Sequence, residues 1–475
     1  MELPFELDWT PPRLTRWNLL RNRFFWLGAV AVCVAFAVLV FTHPWAPPSH
    51  VPPAVLATSS VPAGATVTVD GRDWGHTPLD VRLPPGSHQV SLQQARYVEM
   101  TYRLALASGA RTPLHAVLWL EEPTVTPLRS PLPGAQVVDA TFLRDGRITL
   151  TLGLPSGDER QLWLLGANQV PRSIGPPYAE GAIASTVDGK QTAYLARSSD
   201  SFGLTNRLDQ IWVSQQPGSP GQRRYVLTAK DQQFTDLSWA PGGQRLLLVV
   251  ERQQPAGGVR DQLWTLPAVS GEPRVLDELP SVIVPGSFAW SPNGGQVAFL
   301  ARADGHVALC LLDVRDGSLR DLAELPSGTP PPFAPFAWSA DGARLLYSAP
   351  VSASPSLGGW LFGTPSQSAL FVVDAHQPLG APLGAKDVAF AIWRDDGSLL
   401  GLTRRGNDGR LTLRLIDPDG QAHDLTALPI QAAANFGVRW DVAHGQAIVA
   451  VPDNTSFGQS HFTYWLVRFQ PEGAR

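Results

Sequence analysis

The fold is decided by a short turn that the chain repeats, written most clearly as Trp290-Ser291-Pro292-Asn293-Gly294. Directly after it comes the apolar segment 296–300, which reads Q-V-A-F-L. Tryptophans that open such turns lie 51, 48, 55 and 47 residues apart between Trp239 and Trp440. A regular period of this length indicates a repeat fold. The other clear copies are W-A-P-G-G at 239–243, W-S-A-D-G at 338–342 and W-R-D-D-G at 393–397.

Each repeat has room for four short strands. In the unit that begins near residue 235, the turn is followed by the strand-like segments 246–250 and 262–264, and a weaker fourth segment closes most units. Four strands in about 40–50 residues is the size of one β-propeller blade. The Asp/Asn-Gly pair makes the hairpin turn, and we expect the tryptophan to pack between blades.

Seven such units fill the chain beyond residue 122, which predicts a seven-bladed propeller. The turn is weaker in three of the units, at 143–146, 186–189 and 440–445. The last unit ends after its third strand, and we expect the segment 124–128 to supply the missing fourth one, because that pairing closes the ring and removes an exposed sheet edge. The units begin near residues 138, 181, 235, 286, 335, 387 and 436.

Composition agrees with an all-β chain and excludes several classes of protein. The 475 residues include 43 Gly and 44 Pro but only 16% charged residues, which disfavours coiled coils, helical solenoids and long amphipathic bundles. The net charge of −4 gives no indication of nucleic-acid binding. Two cysteines, Cys33 and Cys310, are too few for a disulfide framework or a cysteine metal site. We expect neither a cofactor nor a metal.

An uncharged stretch near the N-terminus predicts a membrane anchor. Residues 24–41 read F-F-W-L-G-A-V-A-V-C-V-A-F-A-V-L-V-F, long enough as a helix to span a bilayer. Four arginines precede it within residues 13–23, and the first ionised side chain after it is Asp70, which places the N-terminus in the cytoplasm and the bulk of the chain outside. A cleaved signal peptide would have a shorter apolar region followed by an A-x-A-like cleavage site, and the run at 24–41 has neither feature. Prolines between residues 44 and 62 then predict a semi-rigid stalk.

The residues after the stalk alternate in the manner of short strands. Asp70-Gly71 and Gly75-His76-Thr77-Pro78-Leu79 are turn signals. With Pro62-Ala63-Gly64-Ala65 and the segment 83–90, they resemble a PEGA domain, whose pattern is P-x-G-A-x-V-x-V-D-G, G-x-T-P-L and L-x-P-G-x-H-x-V. The family's namesake tetrapeptide is replaced by Pro84-Pro85-Gly86-Ser87. The resemblance implies an extracytoplasmic β-sandwich with no known catalytic role, for which the sequence predicts roughly six strands.

The repeated turns also resemble those in the propellers of TolB-type proteins and of prolyl-oligopeptidase-like enzymes. This second resemblance implies the fold and says little about function. The sequence therefore divides into a cytoplasmic tail (1–23), an anchor helix (24–42), a Pro-rich linker (43–60), a PEGA-like β-sandwich (61–121) and a seven-bladed β-propeller (122–475).

Loop lengths predict which face of the propeller carries function. The loop between the first and second strands is the short turn each time, whereas the loop between the second and third strands is long in units two, three, five and seven. In an up-and-down blade these longer loops all emerge on one face of the disc, and binding residues are commonly found on loops. The candidate partner-binding residues at these loops are Phe202, Arg207, Arg252, Arg260, Trp360, Phe362 and Phe457.

These features predict a non-enzymatic, membrane-anchored binding or scaffold protein that presents its propeller to an envelope protein or a cell-wall polymer. No G-x-S-x-G, H-E-x-x-H or P-loop motif occurs. Two alternatives stay open. An enzyme acting on glycans or peptides in the central funnel would need clustered carboxylates, and Asp139, Asp236 and Asp387 fall near the starts of first strands. A ligand-sensing ectodomain would need a separate signalling partner, because the predicted tail is too short for a signalling domain.

Overall fold

The computed structural model describes the chain from residue 52 to residue 470, apart from several loop segments. The longest of these gaps are 199–206, 326–332, 351–367, 375–380 and 454–460. The predicted tail (1–23) and anchor helix (24–42) lie outside the described residues, except for Val34. Among the residues that are described, no helix is long and apolar enough to cross a membrane.

The first seven strands form a β-sandwich. One sheet has the order β4-β1-β7 and the other β3-β2-β5-β6, with Leu56, Val67 and Val90 fully buried between them. The predicted hairpin turn is confirmed, since Asp70 and Gly71 both have positive φ, 50° and 79°, as a type I′ turn requires. The strands are β1 (Ala54–Val61), β2 (Thr66–Val69), β3 (Arg72–His76), β4 (Leu79–Leu83), β5 (Gly86–Gln93), β6 (Met100–Leu106) and β7 (Arg111–Val117).

The sandwich begins earlier than the sequence predicts. The boundary between the linker (43–60) and the module (61–121) cuts through β1, which starts at Ala54 and pairs antiparallel with β4 and parallel with β7. Ala54 and Leu56 are fully buried. Prolines on both sides of β1 give the segment the composition of a stalk, which explains the wrong boundary. In the structure, buried and partly exposed residues alternate along β1, as in a strand in the middle of a sheet. The module therefore has seven strands.

Seven further sheets follow, which we number as blades 1 to 7. The strands of a blade lie in chain order, from the first to the fourth, as in an up-and-down meander. First strands of several neighbouring blades contact one another, for example those of blades 2 and 3 and of blades 5 and 6, which places the first strands around the central channel. Apolar side chains fill the seams between blades: Leu247 and Leu263 of blade 3, for example, pack against Val297 and Phe299 of blade 4.

The strand bounds place each blade close to its predicted start. Blades 1 to 3 comprise β9 (Gln136–Phe142), β10 (Ile148–Gly153), β11 (Arg160–Gly166) and β12 (Gln169–Ser173); β13 (Ile183–Ser185), β14 (Thr192–Arg197), β15 (Leu208–Ser214) and β16 (Gln222–Val226); and β17 (Gln232–Trp239), β18 (Arg245–Gln253), β19 (Val259–Pro267) and β20 (Arg274–Leu279). Blade 4 has a first strand split into β21 (Val282–Ile283) and β22 (Ala289–Trp290), followed by β23 (Gln296–Ala303), β24 (His306–Asp313) and β25 (Leu319–Leu325).

The last three blades complete the ring. Blade 5 comprises β26 (Phe336–Trp338), β27 (Arg344–Pro350), β28 (Ser368–Asp374) and β29 (Ala381–Lys386). Blade 6 comprises β30 (Ala389–Trp393), β31 (Leu399–Arg405), β32 (Arg410–Ile416) and β33 (Ala422–Gln431). Blade 7 comprises β34 (Gly437–Asp441), a 3₁₀ turn (Val442–His444), β35 (Gln446–Asp453) and β36 (His461–Arg468), together with β8 (Thr124–Leu128).

The ring is closed, as predicted, by a strand from the other end of the repeat. β8 is the fourth strand of blade 7 and runs antiparallel to β36. Thr124 lies opposite Arg468, and Leu128 lies opposite Tyr464. The pairing leaves β36 without a free edge and joins the two ends of the propeller in one sheet.

The repeated tryptophans lie where blades meet. Four of them donate a hydrogen bond from Nε1 to the first strand of the preceding blade, whereas the buried indole N–H of the fifth, Trp393, has no partner among the described residues. The Trp393 ring instead lies 4.4 Å from the guanidinium carbon of Arg344. The four bonds join Trp239 to the Ala184 carbonyl (3.2 Å), Trp290 to Ser238 Oγ (3.0 Å), Trp338 to the Ala289 carbonyl (3.0 Å) and Trp440 to the Phe390 carbonyl (2.6 Å).

The residues after the tryptophan build the turn itself. Ser291 Oγ donates to Asn293 Oδ1 at 2.8 Å and accepts the backbone N–H of Gln296 at 2.9 Å. Gly294 then takes a φ of +68°, which an L side chain rarely adopts. Hydrogen bonding of this kind explains why the turn repeats as serine, a variable residue, Asn or Asp, and glycine.

We predict that Trp338→Phe lowers the free energy of unfolding by about 1–2 kcal/mol, because the Ala289 carbonyl loses a partly buried hydrogen-bond donor. Trp393→Phe is the matched control at the same position of the next blade, where the described part of the chain offers the indole N–H no acceptor. It should cost distinctly less. The midpoint of urea unfolding for each variant measures the difference, and equal losses would show that the hydrogen bond contributes nothing.

Candidate interaction face

Strand direction defines two faces of the propeller. Because successive strands are antiparallel, the first-to-second and third-to-fourth connections of every blade lie at one face. We call this the turn face. The second-to-third loops and the links between blades lie at the other, which we call the insertion face. Its described loop residues include Ser198, Arg207 and the segment 254–258.

The β-sandwich rests on the turn face over blades 6 and 7. Trp119, which follows β7, is 1% exposed and stacks on Phe469 with ring centroids 4.7 Å apart. It also lies 6.2 Å from the ring of Trp440. The backbone N–H of Leu120 donates to the Phe469 carbonyl at 2.7 Å. This joint, formed by Trp119, Leu120, Trp440 and Phe469, fastens the module to the end of β36.

A buried ion pair of blade 6 makes a second contact with the module. Arg394 and Asp396 are 3.6 Å apart, and their side chains are almost fully buried. Asp396 Oδ2 accepts the backbone N–H of Thr101 at 3.2 Å, and Arg394 Nη2 donates to the Glu99 carbonyl at 3.3 Å. Such additional hydrogen bonds are what a buried ion pair needs to offset its desolvation. Arg394 occupies the position that the clearest turns give to serine, a departure visible in the sequence whose role the pattern did not reveal.

The predicted partner-binding residues fall into two groups. Phe202, Trp360, Phe362 and Phe457 lie outside the described residues. The three arginines are described, and all of them belong to the insertion-face ends of blades 2 and 3.

Arg207 joins two blades. Its Nη1 donates to the carbonyls of Ala229 and Gln232, the latter at 3.0 Å, and its Nη2 lies 3.4 Å from Asp209 Oδ2. The side chain is only 21% exposed. Its N–H donors are therefore used within the link between blades 2 and 3, which supports a structural role for Arg207 more than a partner-binding one.

Arg252 and Arg260 are the predicted residues that reach solvent. They lie opposite each other on β18 and β19, and their side chains are 43% and 50% exposed. Glu278 lies between them, 3.8 Å from Arg252 and 3.7 Å from Arg260, and Asp231 is 3.2 Å from Arg252. Exposed ion pairs of this kind contribute little to folding, so these charges stay available to a partner.

Two of the carboxylates proposed for a funnel enzyme lie on first strands, Asp139 on β9 and Asp236 on β17. Asp139 accepts a hydrogen bond from Arg439 at 3.1 Å. Asp236 is buried, and its two oxygens accept the backbone N–H groups of Leu237 (2.8 Å) and Gly286 (2.7 Å). Burial raises the pKa of Asp236 to about 6, and the Asp139 charge adds to the effect. Both carboxylates thus have structural partners, while Asp387 lies outside the described residues.

Phe333 is a channel residue that the sequence analysis missed. It belongs to the link between blades 4 and 5, yet it is buried among side chains of blades 1 and 7. Its ring lies 4.1 Å from the Arg439 guanidinium carbon and 6.1 Å from the Tyr464 ring. Phe333 therefore reaches across the ring and covers the Arg439–Asp139 pair. A single aromatic in an irregular link has no periodicity that would have singled it out.

Asp261 is a second buried carboxyl group of blade 3. Its Oδ2 accepts the backbone N–H of Ile283 at 2.6 Å, and its Oδ1 has no hydrogen-bond partner within the described part of the chain. Burial raises its pKa to about 6, and the charge of Glu251, directly across on β18, adds to the effect. Together with Asp236, it ties the link 282–286 to blade 3.

The described residues contain no cluster of potential metal ligands. Within residues 52–470, gaps excepted, no three His, Cys, Asp or Glu side chains are grouped so that they could hold a metal ion. Cys310 is buried on β24, where burial raises the pKa of its thiol. It packs as a small apolar side chain in the seam between blades 3 and 4.

Comparison with known families supports the resemblance of the module. The PEGA domain model matches residues 54–120, which coincides with the sandwich from β1 to Leu120. The match begins at Ala54, in agreement with the corrected boundary. No curated protein sequence matches the chain.

Solved structures similar to this chain contain propellers of several kinds. An oligogalacturonate lyase from Vibrio parahaemolyticus is 12% identical, with the match covering 74% of this chain and 98% of that one at a TM-score of 0.46. The propeller domain of the Trilobed protease from Pyrococcus furiosus is 17% identical (70% and 95% covered, TM-score 0.39). TolB from Acinetobacter baumannii is 13% identical (66% and 77% covered, TM-score 0.30). These likenesses concern fold alone.

We predict that Asp261→Asn stabilises the protein above pH 6. A pKa raised by burial means that the folded chain binds this proton more tightly, so the contribution of Asp261 to stability is best below pH 4 and is lost as the pH rises through 6. Asparagine is neutral and keeps an acceptor for Ile283. The melting temperature of the variant relative to wild type should rise by about 2–5 °C between pH 4.5 and pH 8.

Asp236→Asn is the control for this pH experiment. Both oxygens of Asp236 accept backbone N–H groups, so an amide would place a donor against a donor. It should lower the melting temperature at both pH values. If Asp261→Asn behaved in the same way, the amide would fit this site worse than the carboxyl group in either protonation state, and burial of the charged form would not be what limits stability above pH 6.

Proposed function

We propose that this chain is a non-enzymatic, membrane-anchored extracytoplasmic binding protein. In this proposal the insertion face of the propeller contacts an envelope protein or a cell-wall polymer. The observation that carries it is the seating of the module: the Trp119 joint and the Arg394–Asp396 pair fasten it to the turn face, opposite the face of the second-to-third-strand loops. Binding residues are found disproportionately on loops that a rigid scaffold positions.

The anchor and the location outside the cytoplasm rest on the sequence. The uncharged run at 24–41 with arginines before it supports a single span with the N-terminus in the cytoplasm. The PEGA match at 54–120 agrees with an extracytoplasmic module, as the resemblance implies. The net charge of −4 offers no support for a nucleic-acid partner.

An enzyme acting on glycans or peptides in the funnel is the alternative. Its carboxylates would be Asp139, Asp236 and Asp387, and the structural partners of the first two argue for the binding role instead. A ligand-sensing ectodomain would use the same face and differ only in what the partner does next.

The proposal predicts that a charge reversal on the insertion face abolishes recruitment. The detergent-solubilised full chain is used to recover proteins and polymers from an envelope extract. Arg260→Glu should reduce recovery of the main partner about tenfold or more, because a charge reversed within an interface costs several kcal/mol. Arg223→Glu, on exposed strand β16 near the turn face, is the matched control and should recover as much as wild type.

Other outcomes of the recovery experiment have defined meanings. Loss of the partner with Arg223→Glu but not with Arg260→Glu would contradict the proposal and assign binding to the turn face. Turnover of a glycan or peptide library by the wild type, without any retained partner, would favour the funnel enzyme.

A further inference from the structure

The two ends of the PEGA-like module have different tasks. At one end, the hairpin that joins β6 to β7 receives the incoming chain: Gly109 N–H and Ser108 Oγ donate to the Pro52 carbonyl at 3.1 and 3.2 Å. At the other end, Thr101 near the start of β6 and Trp119 after β7 contact the propeller. The strands between them are seven residues long, which separates the two ends by about 20 Å.

The joint between module and propeller has contacts at several separate points. The Trp119–Phe469 stack and the Leu120 hydrogen bond hold it over blade 7, and the Thr101–Asp396 and Glu99–Arg394 bonds hold it over blade 6. Contacts on two blades prevent rotation about either one. Since Trp119 also belongs to the core cluster of blades 6 and 7, separating the module would expose an aromatic core.

The module and the insertion face lie on opposite sides of the propeller. β36 runs from His461 at the insertion face to Arg468 at the turn face, and its eight residues span about 25 Å. The order along the molecule is therefore the point where the chain enters, the module, the turn face and then the insertion face.

We propose that the module is a rigid spacer that points the insertion face away from the membrane holding the N-terminal anchor. The partner is then a component fixed outside that membrane, because a protein embedded beside the anchor would meet the module and the turn face first. This inference rests on the proposed function, since it requires the anchor.

Energy transfer to a lipid dye tests the orientation in the full chain. Cys33 is replaced by serine and the buried Cys310 is kept. Single cysteines replace three exposed alanines: Ala107 in the hairpin where the chain enters, Ala343 on the turn face and Ala256 on the insertion face. Each labelled chain is reconstituted in vesicles of phosphatidylethanolamine and phosphatidylglycerol that contain an acceptor lipid.

Transfer should be strongest from residue 107, weaker from 343 and several-fold weaker from 256 than from 107. Equal transfer from 107 and 256, or stronger transfer from 256, would overturn the inference. Co-flotation of the chain with the vesicles is scored separately. A chain that does not float contradicts the anchor and with it the proposed function, whereas a chain that floats with the wrong transfer order contradicts the orientation alone.

Discussion

The structure depends on the pairing of β8 with β36. A propeller made of consecutive four-stranded meanders leaves its last blade one strand short, and the missing strand comes from the segment that precedes the first blade. That segment starts only a few residues after Trp119. Closing the ring therefore fixes the module beside β36, where the Leu120 N–H meets the Phe469 carbonyl. One constraint thus sets both the closure of the ring and the face on which the module sits.

Much of this architecture follows from the sequence because it is periodic. The Trp-Ser-Pro-Asn-Gly turn encodes a tryptophan that reaches the preceding blade, a serine that closes the turn and a glycine with positive φ. Seven repeats of one local solution give the blade count, and the short last unit gives the closing strand. The predicted start of the module at residue 61 was wrong because β1 belongs to no repeat. Prolines around Ala54–Val61 concealed this strand, and no similar strand elsewhere in the chain could reveal it.

The site could be predicted only in part, since contacts between distant segments carry it. Strand direction was enough to assign the long loops to one face. It could not show that Arg207 donates hydrogen bonds to the Ala229 and Gln232 carbonyls, or that Arg260 stays half exposed. Phe333 reaches blades 7 and 1 from a link between blades 4 and 5. The Arg394–Asp396 pair departs from the repeat. Its role in holding the module becomes clear only from its hydrogen bonds to Glu99 and Thr101.

The central claim is that module and propeller form one body, joined at the turn face. Amide hydrogen exchange of the full chain tests it most directly, because it reads the joint at single backbone groups. Leu120 N–H, bonded to Phe469, should be protected to a degree comparable with Leu466 in the middle of β36. Exchange of Leu120 at the rate of an open loop, with Leu466 still protected, would contradict the account, since the module would then move independently of the ring.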